Sequence, residues 1–570
     1  MGSAAALTVL GLFLTGASEA PQRGHALSGL DLLYSRRPAF SPTGEPIVAL
    51  GLMHGQRRVQ LRAAQPMRVD FWQGEVAKRA TVQPGQTLEI RIERARPAKR
   101  EHLVDLGGVG WSDTRALAQA LATWRRRGYN DVRAMRVGGT FGLGGRVLDN
   151  RERRVITPVA SRAAAKRVIR QVYERYDVRA SARARLLERP WAKLRVFVGD
   201  AALGWATSYV RVQPQGGAVE VADVQYGVGY SWEGRATRSY HGEIYAAVDA
   251  DGTLAAVNVV GVERILAGVV PSEIFASAPL AALEAQSVAA RNHLLARLGK
   301  RHHADPYHLC SAQHCQVYGG LSKEDPRTTR AVMNTAGKAL FLGGHLVDSV
   351  YSSTCGGHTE DNDAVWGDAP KRALRGQSDL LPNADAGFLA AEGGIARSAI
   401  EAWVHAEPRA YCSEASVAAQ NKFRWQRRFT RAELTRIIRE NHPEIGALRD
   451  VHIQKRGRGG RAIALRLVGE RDTALVLHEL PIRRLFDNLN SGAFVLEREL
   501  SDDGTLEALR FVGGGWGHGV GMCQLGAIGR AEAGHSYAQI LSHYYNGARV
   551  EQLYGPPPEQ AATRPPQHSP

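Results

Sequence analysis

The sequence predicts an α+β fold, and three observations predict it. Leu50–Arg94 alternates apolar and polar residues and is punctuated by Gly55, Gly74 and Gly85, the pattern of short strands. Thr114–Arg127 (TRALAQALATWRRR) has helical spacing at Leu117, Leu121 and Trp124 and stops at Gly128. Beyond Tyr240, two strand-like runs, Glu243–Val248 and Leu254–Val260, flank Asp249-Ala250-Asp251-Gly252, a hairpin signal, and a long helical stretch follows. The acidic turn lacks the downstream ligands of a calcium loop and reads as a plain turn.

Taken in order, residues 1–20 read as a probable signal peptide. The apolar stretch Ala4–Gly16 is too short to cross a bilayer, and Ser18-Glu19-Ala20 offers small residues at the cleavage spacing. This predicts an exported protein with no transmembrane segment. Residues 21–239 form a separate N-terminal α+β region. Within it, Val132–Val137 is strand-like and precedes the glycine turn Gly138–Gly145, while Ala163–Arg185 is basic and helical in pattern, a solvated face. Residues 113–160 weakly resemble a sporulation-related glycan-binding repeat, but an ordinary support domain is the preferred reading. Residues 240–554 form a second region, which carries the motifs taken up below. Residues 555–570, proline-rich and poor in apolar groups, read as a disordered tail.

With 570 residues, 44% hydrophobic and 23% charged, the chain has the composition of a folded protein with large cores. Gly and Pro (61 and 25) stay near ~15%, which excludes a collagen-like chain. The net charge of +17 calls for an acidic partner: nucleic acid, a membrane surface or an anionic polymer. No zinc-finger, homeodomain or RNP pattern accompanies the charge, so nucleic acid is not the expected partner. No P-loop, H-E-x-x-H or G-x-S-x-G occurs. Five cysteines are too few for a disulfide scaffold.

Four segments carry candidate chemistry. In Leu266–Leu295, Ser277 can cap a helix with Pro279 in its first turn, and an apolar stripe leaves Glu284, Gln286, Arg291 and His293 off it. Just upstream, Glu273 lies between apolar residues in a short turn started by proline. Apolar surroundings raise a carboxyl pKa, as a general acid working near neutrality requires, although spacing alone favours a surface or capping glutamate. In Cys310–Tyr318, the residues Cys310, His314 and Cys315, with His302, His303 and His308 just before them, suit a tetrahedral zinc or, in an exported protein, a Cys310–Cys315 disulfide. Leu346–Gly367 combines Ser352, Ser353, Thr354 and two glycines, able to bind sugar hydroxyls, with Glu360, Asp361 and Asp363, a second acid or a cation site. Phe511–Gly526 surrounds Trp516 and His518 with glycines, meaning a backbone that packs closely or wraps something.

In this order, GVVPSE (Gly268–Glu273), ALEAQSVAAR (Ala282–Arg291), CQVYGG (Cys315–Gly320), YSSTCGGHTED (Tyr351–Asp361), GWGHGVGMCQLGA (Gly515–Ala527) and ILSHYYNGARV (Ile540–Val550) resemble the stage II sporulation protein D family, also called SpoIID/LytB. The resemblance covers roughly Tyr240 to Leu553; it implies that residues 240–554 are the catalytic region, with a cleft, and that the protein is periplasmic or cell-wall associated. It implies a lytic transglycosylase that cleaves between N-acetylmuramic acid and N-acetylglucosamine in peptidoglycan strands, especially strands without stem peptides. Glu273 falls on the family's catalytic acid. One carboxyl suffices for such an enzyme: it protonates the leaving oxygen and then accepts the proton of the C6 hydroxyl that closes a 1,6-anhydro ring. Muramic acid's lactyl carboxylate fits the positive charge.

Relatives hold a structural zinc in the segment matching Cys310, His314 and Cys315. His303 is taken as the fourth ligand, with His302 and His308 as alternatives. Gln286, Arg291, Gln316, Tyr351, Ser353, His518 and Gln524, polar or aromatic residues inside the matched motifs, are the expected sugar contacts. Some relatives modify amidases without cutting glycan, so the alternative function is a non-catalytic wall-binding protein or amidase enhancer with a cell-wall amidase as partner. The N-terminal region then adds affinity for the wall. In an exported protein, Cys355 and Cys412 are expected to form a disulfide.

Overall fold

The computed structural model describes residues 29–35, 38–143, 146–176, 178–228, 233–312, 315–367, 369–418 and 420–555. The leader and the proline-rich tail beyond residue 555 lie outside them, as does His314. The fold is α+β, with strands gathered into several antiparallel sheets and helices packed on them.

The sheet that organises the molecule has the order Ala39–Phe40, Pro46–Gln56, Leu254–Gly261, Glu243–Val248, Tyr209–Pro214, Met67–Gln73 and Val76–Val82, with Leu309–Cys310 added in parallel to Pro46–Gln56. The predicted hairpin is there, closed by Asp249, whose Oδ1 accepts from the Asp251 and Thr253 amides at 3.0 Å each. This turn satisfies its own polar groups. A second sheet, from Ala201–Thr207 to Gly234–Tyr240, contributes Val59, Leu61, Leu88 and Ile90 to the same core.

Strands on both sides of residue 240 therefore share one sheet, and one core runs from Val48 to Tyr554. The N-terminal region is not separate from the catalytic region along its whole length. Local patterning could not show this, because the pairing of Pro46–Gln56 with Leu254–Gly261 spans some two hundred residues. The part that stands off is a four-stranded sheet of Ser181–Glu188, Lys99–Gly110, Glu152–Val159 and Arg133–Val137, with helices Thr114–Arg126 and Arg162–Tyr176 around Trp124 and Val172. The basic helix thus ends at Tyr176, and Ser181–Glu188 is a strand, where helical pattern had been expected to continue to Arg185. Another unit, residues 424–514, packs two three-stranded sheets and helix Arg431–Asn441 around Phe429, Phe486, Phe494 and Phe511.

Two helices carry the candidate site. Val262–Glu273 is buried along most of its length and runs through Pro271, so Glu273 closes a helix rather than lying in a proline-started turn. Leu280–Arg297 begins with Pro279 as its N-cap, and Ser277 makes no capping bond. This second helix is enclosed on nearly all sides. Gln286, Ser287, Arg291 and Asn292 are fully buried with the apolar residues, so the stripe does not mark a solvent face.

Candidate active site

Glu273 lines an open cavity of about 330 Å³ together with Pro271, Phe275, Ser353, Lys422 and Gln524. It is the one carboxylate among the described lining residues. Burial raises its pKa to about 7, against a hydrogen bond from the Tyr351 hydroxyl that lowers it. Tyr351 is held in turn by Gln316, whose Nε2 donates to the phenolic oxygen at 3.0 Å. On the other side, Gln524 Nε2 donates to the Glu273 carbonyl at 2.7 Å and to Gln286 Oε1 at 3.2 Å. Two relays from distant segments thus fix the end of the helix and the carboxyl it carries.

Tyr351 and Gln524 meet because strand Tyr351–Ser352 pairs in parallel with Met522–Cys523. The glycine run that precedes this pair wraps closely. Gly519 has φ 73, and a Cβ there would lie 2.1 Å from the Arg461 guanidinium. Of the expected sugar contacts, Tyr351, Gln316, Gln524 and Gln286 gather around Glu273, and Ser353 lines the cavity.

Arg291 does not join them. It is fully buried and pairs through Nε (2.9 Å) and Nη2 (2.6 Å) with Glu263, which also accepts from the Tyr554 hydroxyl at 2.6 Å and the Gly337 amide at 3.0 Å. Its role is to bind the two helices to the C-terminal strand region, since a buried arginine needs a charged partner. His518 packs on Trp366 at 5.1 Å between ring centroids, and its Nδ1 accepts from the Val520 amide at 3.0 Å. It is not among the cavity residues.

The alternative carboxylates are also elsewhere. Glu360 is fully buried and accepts from the amides of Asp361, Gly459 and Arg461, at 2.9, 2.9 and 3.3 Å. Asp361 and Asp363 are paired with Arg375.

A family profile described as Stage II sporulation protein matches residues 250–342, the stretch that contains Glu273 and the helix after it. The amidase enhancer of Bacillus subtilis is 26% identical over 309 residues, 50% of this chain and 40% of that protein. Over residues 250–342 the chain is similar to the stage II sporulation protein family. An uncharacterized protein of Brachyspira hyodysenteriae is 26% identical over 355 residues, 62% of this chain and 82% of that protein. A domain of unknown function matches residues 403–521, largely the unit built on Phe429 and Phe511. A solved protein of Burkholderia pseudomallei, described as exported, aligns at 13% identity over 91% of this chain and 94% of that one, but its TM-score of 0.18 carries no argument. Among the described residues, no helix is long and apolar enough to cross a membrane.

The expected metal segment brings together His302, Cys310 and Cys315, whose ligand atoms lie within 4.8 Å of one another. His302, not His303, completes the group; His303 lines a neighbouring cavity with Arg100 and Arg183. His302 Nε2 is 3.3 Å from Cys315 Sγ, and its Nδ1 is 2.9 Å from Asp305 Oδ2, a carboxylate that orients the ring. His308 is a core histidine: its Nδ1 accepts from the Ala49 amide at 3.1 Å. The donor set of two thiols and an imidazole fits a zinc-type ion.

Sequence reasoning did not single out Phe275 or Lys422, and named Trp516 only as the centre of a glycine run. Phe275 (49% exposed) and Lys422 line the cavity, and Lys422 Nζ lies 5.7 Å from the Phe275 ring centroid and 5.8 Å from that of Trp516 (40% exposed). Phe275 lies two residues beyond the GVVPSE motif, and that proximity was the available signal. Lys422 lies between motifs and had none.

Proposed function

We propose that this protein is a lytic transglycosylase that cleaves peptidoglycan glycan strands and leaves 1,6-anhydro-muramic acid ends. The observation that carries the reading is Glu273: one carboxyl in an open cavity, with a pKa of about 7 and no second carboxylate among the described lining residues. Hydrolases that retain or invert configuration need two carboxyls, about 5–5.5 Å or about 6.5–9.5 Å apart. A single group near its pKa at neutral pH suits a reaction in which it first gives and then takes a proton. Glu273 protonates the glycosidic oxygen, the C6 hydroxyl of muramic acid attacks the anomeric carbon, and the hydroxyl proton passes to Glu273.

Phe275 and Trp516 offer faces for sugar rings, and Lys422 between them offers a cation for the lactyl carboxylate. Tyr351, Gln316, Gln286 and Gln524 hold the catalytic carboxyl, with Ser353 placed to meet a hydroxyl. His302, Cys310 and Cys315, with His314 beside them in sequence, would hold zinc, which when bound cross-links the loop structurally. The protein acts outside the cytoplasm, at the cell wall, and the N-terminal region adds affinity for glycan.

The similarity to the Bacillus subtilis amidase enhancer favours one other reading, a wall-binding protein that stimulates an amidase without cutting glycan. Digestion of purified glycan strands lacking stem peptides, followed by mass analysis, separates the two. Anhydro-disaccharides support the transglycosylase. Their absence, with glycan binding retained and an amidase accelerated, supports the enhancer.

A further inference from the structure

Four fully buried side chains converge beside the cleft: Cys355, Asp379, Cys412 and Cys523. Their ligand atoms lie within 4.8 Å of one another, although they come from four separated segments. Cys355 and Cys412 were expected to form a disulfide. Their sulfurs stand 3.7 Å apart, and all three cysteines are free. A disulfide needs about 2.0 Å. Bonds of about 2.3 Å to one tetrahedral metal put two sulfurs about 3.8 Å apart, and a sulfur and a carboxylate oxygen about 3.5 Å apart. The Cys355 Sγ to Asp379 Oδ2 distance is 3.6 Å.

The surroundings suit anionic ligands. Cys523 Sγ accepts from the Cys355 amide at 3.1 Å and the Gly526 amide at 3.2 Å, two donors that stabilise a thiolate. Asp379 Oδ1 is already engaged by Arg530 Nη2 (2.9 Å), Arg530 Nε (3.2 Å) and the Tyr544 hydroxyl (2.8 Å). Its Oδ2 is left on the side of the sulfurs. Arg424 donates Nη1 to the Gly356 carbonyl at 3.0 Å, and Arg461, whose charge acts on Glu360, donates Nη2 to the Cys355 carbonyl at 3.1 Å. Three thiolates and a carboxylate carry four negative charges, and a divalent cation with Arg530 and Arg424 balances them. Gly526 makes room: a Cβ there would sit 2.2 Å from Asp379 Oδ2.

We propose that Cys355, Asp379, Cys412 and Cys523 bind a second, thiophilic divalent metal of the zinc class, distinct from the His302 site. As the metal enters, each coordinating thiol gives its proton to solvent, so the bound site holds thiolates. The site has a consequence for the cleft. Cys523 is the N-cap of helix Gln524–Glu532, whose first residue contacts the Glu273 carbonyl, and Cys355 lies two residues beyond Ser353. The metal fixes the strand pair that carries Tyr351 and Gln524 against the Cys412 helix.

The test is zinc content per chain of the full protein, purified reduced after growth with zinc. The native protein should carry two zinc ions, Cys310→Ser one and Cys412→Ala one. Cobalt loading of Cys310→Ser should give the strong thiolate charge-transfer absorption of a three-sulfur site. Cys310→Ser leaves the proposed cluster intact, so it decides the matter even where Cys412→Ala fails to fold. A Cys310→Ser protein that folds without zinc would overturn the proposal. So would a Cys355–Cys412 disulfide, found by mass mapping, in native protein with its full metal content. Native protein with one zinc, kept in Cys310→Ser and lost in Cys412→Ala, would uphold this site and remove the His302 site instead.

Discussion

Replacing Glu273 by glutamine should stabilise the protein above neutral pH, because the native fold keeps a carboxyl where its charge is poorly solvated. A free glutamate titrates near 4.3, and Glu273 titrates at about 7. Between those values the folded state binds more protons than the unfolded state, so native stability falls as pH rises through this window. The full shift at about 1.36 kcal/mol per pH unit is an upper bound of about 3–4 kcal/mol. Because the side chain opens to the cavity, solvent reduces this to about 1–2 kcal/mol. Glutamine does not titrate and escapes the cost. The variant and native proteins should therefore unfold alike at pH 4, and the variant should be more stable by about 1–2 kcal/mol at pH 8, or a few degrees in Tm. Urea or thermal unfolding of both proteins at the two pH values is the assay. Superimposed curves at pH 8, or a less stable variant there, would refute the claim that the carboxyl is held in a poorly solvated site.

Tyr351→Phe removes the hydrogen bond that favours ionised Glu273, so the alkaline limb of the pH–rate profile should move up by about one unit; an unshifted limb would mean that the phenol does not act on the acid. Arg291→Met should cost about 3–5 kcal/mol by leaving the buried Glu263 unpaired, and Glu263→Gln in the same chain should recover much of it, a double-mutant cycle read by denaturation. Phe275→Ala and Trp516→Ala should each weaken binding to denuded glycan roughly three- to tenfold in a sedimentation assay without changing the pH profile, since they offer sugar faces and no proton.

Local signals were legible where the chemistry is local. The hairpin at Asp249–Gly252 follows from its turn residues, whereas Glu273, a carboxyl among apolar neighbours, was singled out by the GVVPSE motif that it ends. Where contacts are distant, the sequence said less. Gln286 and Arg291 lie off an apolar stripe and were expected to meet sugar, but their helix is enclosed on nearly all sides, so periodicity lost its meaning. Arg291 finds its partner in Glu263, on the preceding helix, and Glu263 in turn is capped by Tyr554 near the far end of the chain. The boundary at residue 240 failed for the same reason, as a composition change fell inside one sheet. The ligands Cys355, Asp379, Cys412 and Cys523 share no spacing motif, so cysteine arithmetic suggested a pair where folding assembles a group of four.

The most direct test of the account is product analysis with native protein and Glu273→Gln on purified glycan strands lacking stem peptides. The native protein should release 1,6-anhydro products. The variant should bind the strands as well as the native protein, yet release product at least ~10²–10⁴-fold more slowly, since one group serves both proton transfers. Release of 1,6-anhydro products by Glu273→Gln at a near-native rate would contradict the assignment of Glu273 as the acid and base of the reaction.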